Sequence, residues 1–413
     1  MTSEAYVFIE GLESEPVLCG RVSLNTRTEV GTFVYGKSYL ARANAFAIDP
    51  IHLPLTETEH LCTINKGIFG VLSDAGADSW GRKLITQLHR TQPQNELEFL
   101  IASAAMGVGA LSFSLSRERT KPKLSPNTLA DLELLRRGKN TILAAEEVSD
   151  EVRQAFVFGS SMGGARPKTL LTHQGQEYLV KFNKADDLYN VARVEHATMR
   201  MLDELDVVRV ASSEVLSTGE DDSATEDVFL VKRFDRSAGA VSHHFLSANT
   251  LLQQSSISQL SLKTWYSYGR LAELLRQHSA EASDAIDLYY RMVFNVLIGN
   301  TDDHARNHAW LMPLNFHEQH IPPQQAWRLA PAYDVLPINA SRQHGLGIGD
   351  YGREGTKENM LSQAKRFGLQ DFKARKIIDD VSQLVAEWPH YFRQNHVSAG
   401  DIERIRNIVP QLP

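Results

Sequence analysis

The sequence predicts an α+β protein of two lobes, a β-rich lobe first and a mostly helical lobe second. Three observations carry that expectation. Short runs of aromatic and β-branched residues, bounded by glycines or charges, crowd the first 235 residues. Beyond about residue 245 the apolar pattern becomes helical, apart from a hairpin expected between 308 and 330. Of 413 residues, 42% are hydrophobic and 23% charged, which suits a globular chain with a sizeable core and excludes a disordered or fibrous one.

In chain order, Ala5–Ile9 and Thr32–Tyr35 read as strands, the first between Glu4 and Glu10, the second between Gly31 and Gly36. A helix is expected from Asp78-Ser79-Trp80-Gly81-Arg82, capped by Asp78 and continued by the apolar stripe Leu84, Ile85 and Leu88. Arg117–Pro126, polar with two prolines, reads as a linker, and Leu129–Arg137 as a helix that Gly138 ends. Lys168–Thr172 and Glu177–Phe182 form a hairpin about Gly175. A helix from Asp187 to Leu205 and strands over Val207–Leu216 and Asp227–Phe234 follow. These divisions give expected domains of 1–115, 116–235 and 236–413.

The charge balance excludes some functions. Lys and Arg number 43 against 50 Asp and Glu, a net charge of −7, so no global field draws the chain to phosphate backbones or anionic lipid. Two cysteines, Cys19 and Cys62, make neither a disulfide framework nor a thiolate metal site. No basic leader is followed by an apolar stretch, and no apolar run approaches the roughly 18–20 residues of a membrane span. A cytoplasmic protein without membrane contact is expected.

Three segments could carry chemistry. Gly159–Lys168 collects three glycines and two serines ahead of a strand, which suits a backbone cradle for an anion but lacks P-loop spacing. Lys181 lies on that hairpin's second strand, and Glu195 falls on the apolar stripe of the following helix. An inward carboxylate calls for a cation, and a strand lysine with a helix glutamate is an arrangement kinases use. The third segment is Gly299–His308. Ile286, Tyr289, Tyr290, Val293 and Leu297 trace a buried helical face, and Gly299 then ends the helix. Asp302 and Asn307 have the spacing of a kinase catalytic loop, where the aspartate accepts the substrate proton and the asparagine helps hold Mg²⁺. Downstream, Asp334 stands where a kinase places its second metal-binding aspartate. A metallohydrolase is the rival reading, since Asp302, Asp303, His304, His308 and Asp334 are all metal-ligand types. It leaves Lys181 and Glu195 unexplained.

Together Val231–Arg236, Thr301–Asn307 and Leu329–Asp334, with Asp78–Arg82, Gly109–Leu111 and Ser161–Thr169, resemble the HipA family over nearly the whole chain. These are bacterial serine/threonine kinases best known as toxins of toxin–antitoxin pairs. The resemblance implies a two-lobe protein-kinase-like fold with an extra N-terminal subdomain, and ATP and Mg²⁺ as cofactors. It makes Asp302 the catalytic base and Asn307 and Asp334 the Mg²⁺ ligands. Gly163, Gly164, Ala165, Arg166, Pro167 and Lys168 match the phosphate loop, and Lys181 the phosphate-contacting lysine. Lys232, Arg233 and Phe234 match the adenine hinge, while His304, Ala305, Arg306 and Tyr333 line the nucleotide site. Glu195 belongs to a structural ion pair. Ser161, with Ser160 beside it, matches the serine that autophosphorylates, a change that in the family flips the loop out and stops the kinase.

Two departures from the family's best-known branch stand out. Arg166-Pro167 replaces Gln-Glu before Lys168, a stiffer and more cationic loop, and Lys232 stands where the hinge can carry an acid. The implied partners are a small helix-turn-helix antitoxin, which would supply most of the contact with DNA, and a protein substrate with a Ser or Thr hydroxyl. Aminoacyl-tRNA synthetases are known family substrates. The alternative implied is a catalytically weak scaffold or co-repressor.

Overall fold

The computed structural model describes residues 2–410 except 89–91, 106, 123–124, 162, 218–226, 255–264, 339–340 and 342. Met162 of the glycine-rich stretch and Lys123 and Leu124 of the expected linker thus lie outside the described residues. The chain forms two compact units. Unit 1 comprises Met1–Phe182, Lys232–Leu246 and Leu311–Ala326, and unit 2 comprises Asn183–Val231, Ser247–Trp310 and Trp327–Pro413.

In unit 1, strands β1 (Glu4–Ile9), β2 (Val17–Asn25), β3 (Val30–Tyr35), β4 (His60–Cys62) and β5 (Leu111–Ser114) form one antiparallel sheet in the order β4-β3-β2-β1-β5. Alternation in β3 buries Phe33 and Tyr35 on one face, as the sequence pattern requires. The expected hairpin is present as β6 (Lys168–His173) and β7 (Gln176–Phe182). Its two-residue loop has positive φ at both Gln174 and Gly175, the backbone that matches strand twist in tight hairpins.

Helix α1 (Ser79–Leu88) follows Asp78 and buries Trp80, Leu84 and Ile85. Helix α2 (Leu132–Leu143) runs straight through Gly138, contrary to the stop expected there. The residue serves packing instead. A Cβ at Gly138 would sit 2.6 Å from Val152 Cγ1 of α3 (Asp150–Phe156), so its absence lets the two helices approach. Lys121, in the expected linker, donates to Ser103 O at 2.5 Å, and burial pushes its ammonium down to about 8. Lys121 is thus held in place.

Unit 2 is mainly helical. Helix α4 (Val191–Leu202) is shorter than expected at both ends; it starts late because Asn190 caps it, accepting from Arg193 N at 3.2 Å, and Leu188 is exposed ahead of it. Strand β8 (Ser213–Leu216) pairs antiparallel with β9 (Val228–Lys232), both shorter than the runs predicted. Helices α5 (Tyr268–His278), α6 (Asp284–Ile298) and α7 (Asp371–Ala386) follow. Helix α6 is the axis of the unit: Leu288, Tyr289, Met292, Val293, Phe294 and Ile298 are fully buried. Its buried face is wider than predicted, with Ile286 and Tyr290 only half-buried. Gly299 ends it at φ 77°, ψ 28°, the left-handed cap the sequence called for. No helix among the described residues is long and apolar enough to cross a membrane.

Candidate active site

The loop after Gly299 alternates in burial. Asp302, His304 and Arg306 are exposed, whereas Asp303, Ala305, Asn307 and His308 are buried. Ala305–Asn307 makes one 3-10 turn, closed by Asn307 N donating to His304 O at 2.8 Å. The loop is bonded to the segment carrying Asp334. Thr301 N donates to Ile338 O at 3.1 Å, Ile338 N to Gly299 O at 3.1 Å, and Tyr333 OH to Arg306 O at 2.8 Å. Asp302, Asn307, Tyr333 and Asp334 are thereby brought onto two joined segments of unit 2. Asp334 itself has φ 60°, a left-handed backbone unusual for a residue other than glycine and often found where function demands it.

Buried charge holds the approach to Asp334. Arg291, on α6, bonds Asp287 through Nε at 2.6 Å and donates through Nη1 to Ala330 O at 2.9 Å. Asp284 accepts from Leu329 N at 2.7 Å and is paired with Arg209, which also donates to Leu329 O at 2.9 Å. Sequence reasoning missed Arg209, Asp284, Asp287 and Arg291. The available signal was three charged residues, Asp284, Asp287 and Arg291, on a long and strongly apolar helix.

Beneath the loop, Asp303 Oδ2 accepts from His308 Nε2 at 2.9 Å and from Tyr268 OH. Asn295 Nδ2 donates to Tyr268 OH at 3.3 Å and Asn300 Nδ2 to Asn295 Oδ1 at 3.0 Å. Asp303 and His308, two of the metal-ligand types in this loop, are thus bonded to each other. His304 and His308 flank a 3-10 turn, where the i, i+4 spacing of an α-helical zinc pair does not hold. Among the described residues no three His, Cys, Asp or Glu side chains are grouped to share a metal.

In unit 1, Ser160 and Ser161 end a short 3-10 helix, Val157–Ser161, and both are buried. Ser160 Oγ donates to Val157 O at 2.6 Å and accepts from Ala104 N at 3.0 Å, while Ser161 Oγ donates to Ala104 O at 3.1 Å. The glycine loop is fastened to α1: Gly164 N donates to Asp78 Oδ2, Trp80 N to Gly164 O at 3.2 Å, and Trp80 Nε1 to Lys168 O at 2.8 Å. Lys168 Nζ turns back to Gly163 O. A Cβ at Gly81 would lie 2.3 Å from Ser160 O, so the helix can approach only with glycine there. Gly164, Ala165 and Arg166 form a bend ahead of Pro167, and Lys181 is buried on β7.

The segment expected to be a hinge carries a charge cluster. Arg233 bonds Asp235 Oδ2 and Gly107 O, each at 2.8 Å, and Glu177 Oε2 at 3.2 Å. Arg236 meets Asp235 Oδ2 at 2.9 Å and donates to Gly107 O at 2.8 Å. Gly109 N gives Asp235 a further bond at 2.7 Å. Burial alone would raise the Asp235 carboxyl, but the two guanidiniums hold it well below the usual carboxylate range. The Arg233 side chain is thus spent on structure, and Lys232 and Phe234 beside it are half-buried. In unit 2, Glu195 is buried on α4.

Against known sequences, the chain matches the HipA-like C-terminal domain over residues 160–388 and the HipA N-terminal domain over residues 15–114. The chain belongs to the HipA family. The HipA-family chain also resembles a Haemophilus influenzae protein named "Putative kinase", with 25% identity over 194 residues. That alignment spans 44% of this chain and about half, 53%, of the relative. Among solved structures, it is similar to the Shewanella oneidensis MR-1 toxin–antitoxin complex of HipA, HipB and operator DNA. There the TM-score is 0.67 at 16% identity, covering 97% of this chain and 94% of that one, a likeness of fold. The α+β HipA-like fold expected from the sequence is the one observed. A much weaker likeness, TM-score 0.35 at 16% identity, is to the Helicobacter pylori proinflammatory kinase CtkA, covering 60% of this chain and 94% of that one.

Proposed function

We propose that this HipA-family chain is an ATP- and Mg²⁺-dependent protein serine/threonine kinase, acting in the cytoplasm as the toxin of a toxin–antitoxin pair. The observation that carries the reading is the bonding of the Asp302–Asn307 loop to the segment of left-handed Asp334. Exposed Asp302 suits a base that must meet a protein hydroxyl. It aligns that hydroxyl and accepts its proton as the new oxygen–phosphorus bond forms, the bond to the β-phosphate oxygen breaks and ADP leaves. The Asn307 amide and Asp334 carboxylate are hard oxygen donors of the kind Mg²⁺ takes, and would hold it. When bound, the metal neutralises phosphate charge.

By family resemblance, Gly163–Lys168 and Lys181 meet the phosphates. Lys232–Phe234 meet adenine through the backbone, and His304, Ala305, Arg306 and Tyr333 line the nucleotide. Glu195 serves in a structural ion pair. Ser161 or Ser160 takes the autophosphate. Both hydroxyls are buried donors to carbonyls, so the segment must open first, in keeping with a loop that swings out once modified. A helix-turn-helix antitoxin is the proposed partner and carries the DNA contact. A translation protein such as an aminoacyl-tRNA synthetase is the proposed target.

Purified protein incubated with ATP and Mg²⁺ is expected to gain phosphate on Ser160 or Ser161, read by mass spectrometry against the starting mass. In Asp302→Asn the rate should fall by about 10²–10⁴ with nucleotide binding retained. An unchanged rate would overturn the catalytic assignment. One observation favours the scaffold or co-repressor reading: Gly164 N–H and the Lys168 ammonium, groups a phosphate would need, are already engaged by Asp78 and Gly163. Absence of Mg²⁺-dependent ATP binding would favour that alternative.

A further inference from the structure

We infer that Asp303, His308 and Tyr268 form a clasp that positions the reactive loop, and that the clasp sets the rate of transfer more than the affinity for nucleotide. The inference rests on the kinase reading for what the loop does, and on unit 2 alone for how it is held. Asp303 immediately follows Asp302, and His308 immediately follows Asn307. The hydrogen bond from His308 Nε2 to Asp303 Oδ2 therefore closes residues 304–307 into a ring. It ties together the peptide units from which both proposed functional side chains depart.

The clasp is fixed from several sides. Tyr268, on α5, gives its hydroxyl to the same carboxylate oxygen and sets its ring edge-on to His308, with centroids 5.3 Å apart. Asn295, on α6, bonds that hydroxyl and also orients Asn300 at the loop's start, where His344 Nδ1 lies 3.2 Å from Asn300 O. Ala248 N donates to His308 O at 2.8 Å. Gly345 packs so closely that a Cβ would lie 2.5 Å from Asp303 O. Two helices and two flanking segments thus converge on Asp303 and His308, side chain and backbone, residues only 2% and 3% exposed.

Stability alone is a poor reason for such a cluster, because apolar residues of similar volume often stabilise a core as well as a buried ionic pair does. A cluster centred on the residues next to Asp302 and Asn307 instead limits how those two side chains can point. Misplacing a reacting group by about 1 Å can cost 10²-fold in rate.

The test compares His308→Leu, His308→Gln and Asp303→Asn in the full chain. Single-turnover autophosphorylation with ATP and Mg²⁺ is measured beside the KM for ATP and amide hydrogen exchange over 300–308. Glutamine offers an amide donor near the place of Nε2, and leucine offers none. His308→Leu and Asp303→Asn should lose ten- to a hundredfold in rate with KM within about twofold, and should speed exchange in 300–308 selectively. His308→Gln should recover most of both losses. A His308→Leu rate equal to wild type, or exchange unchanged in the loop, overturns the inference, as does a glutamine variant no better than leucine. Should leucine unfold the chain, the glutamine variant and Asp303→Asn decide. A wild-type protein with no transfer at all would defeat the kinase reading, and loop exchange would still decide the clasp.

Discussion

Each unit buries a cluster of charged and polar groups, and the two clusters differ in the chain they gather. In unit 1, Asp235 draws in Gly109, 126 residues away, and Arg233 draws in Glu177, 56 residues away. In unit 2, Asp303 and His308 are five residues apart, and Tyr268 joins them from 35. The first cluster fastens distant strands and turns into one body. The second gives a short loop a single shape. Buried charge is costly in either setting, so its use as an anchor about Asp235 and as a template about Asp303 marks where precision matters.

The largest expected effect is on the anchor. Asp235→Ala leaves the Arg233 and Arg236 guanidiniums buried with one carboxylate fewer, and should cost about 3–5 kcal/mol in urea unfolding. Alanine at exposed Asp302 should stay within about 0.5 kcal/mol in the same assay. Equal losses at the two positions would erase the contrast between anchor and reactive loop.

Acid should weaken unit 1 in two stages. Burial, with Ile48 and Asp49 pulling the other way, pushes the His244 imidazole down to about 4 from an ordinary 6.5. Its neutral form is favoured in the fold, so the unfolded chain takes up the extra proton below pH 6.5. Stability present above 6.5 is then lost as pH falls toward 4, by up to about 3 kcal/mol. Asp235, held below the carboxylate range, keeps its contribution above its unfolded value and gives it up only in stronger acid. Urea midpoints between pH 7 and 4 should fall in wild type and fall less in His244→Phe. Parallel curves would show that burial does not hold the His244 imidazole neutral.

The smallest effect sharpens the packing argument. Gly138→Ala gains about 1 kcal/mol of helix propensity, yet its methyl meets Val152 at 2.6 Å, and overpacking of that kind costs about 1–3 kcal/mol. A net loss of roughly 1 kcal/mol is expected by thermal unfolding, and a net gain would mean that α2 and α3 separate at little cost.

The contrast between clusters also explains what the sequence made legible. The Gly299–His308 loop was readable because its cap, its polar residues and its spacing lie within ten consecutive positions after an apolar helix. Strands β1 and β3 and the β6–β7 hairpin were readable for the same local reason. Arg233 was read as hinge alone because Glu177 and Gly107, which occupy its side chain, are remote in sequence. Gly138 was read as a stop because only tertiary packing reveals a glycine needed for close helix approach. Helix α4 starts later than expected because of Asn190, whose capping bond outweighs the apolar stripe from which the longer helix was drawn.

Left-handed Asp334 constrains how its own role is to be probed. An alanine there would change two things at once, removing a carboxylate and forcing a Cβ-bearing residue with no polar tip into a backbone state that costs roughly 1–2 kcal/mol. Asparagine tolerates that state and differs from aspartate chiefly in charge, while glycine keeps the backbone and deletes the side chain altogether. Read as a pair, Asp334→Asn and Asp334→Gly separate the chemistry of the oxygen donors from the shape of the turn, a distinction an alanine scan would blur.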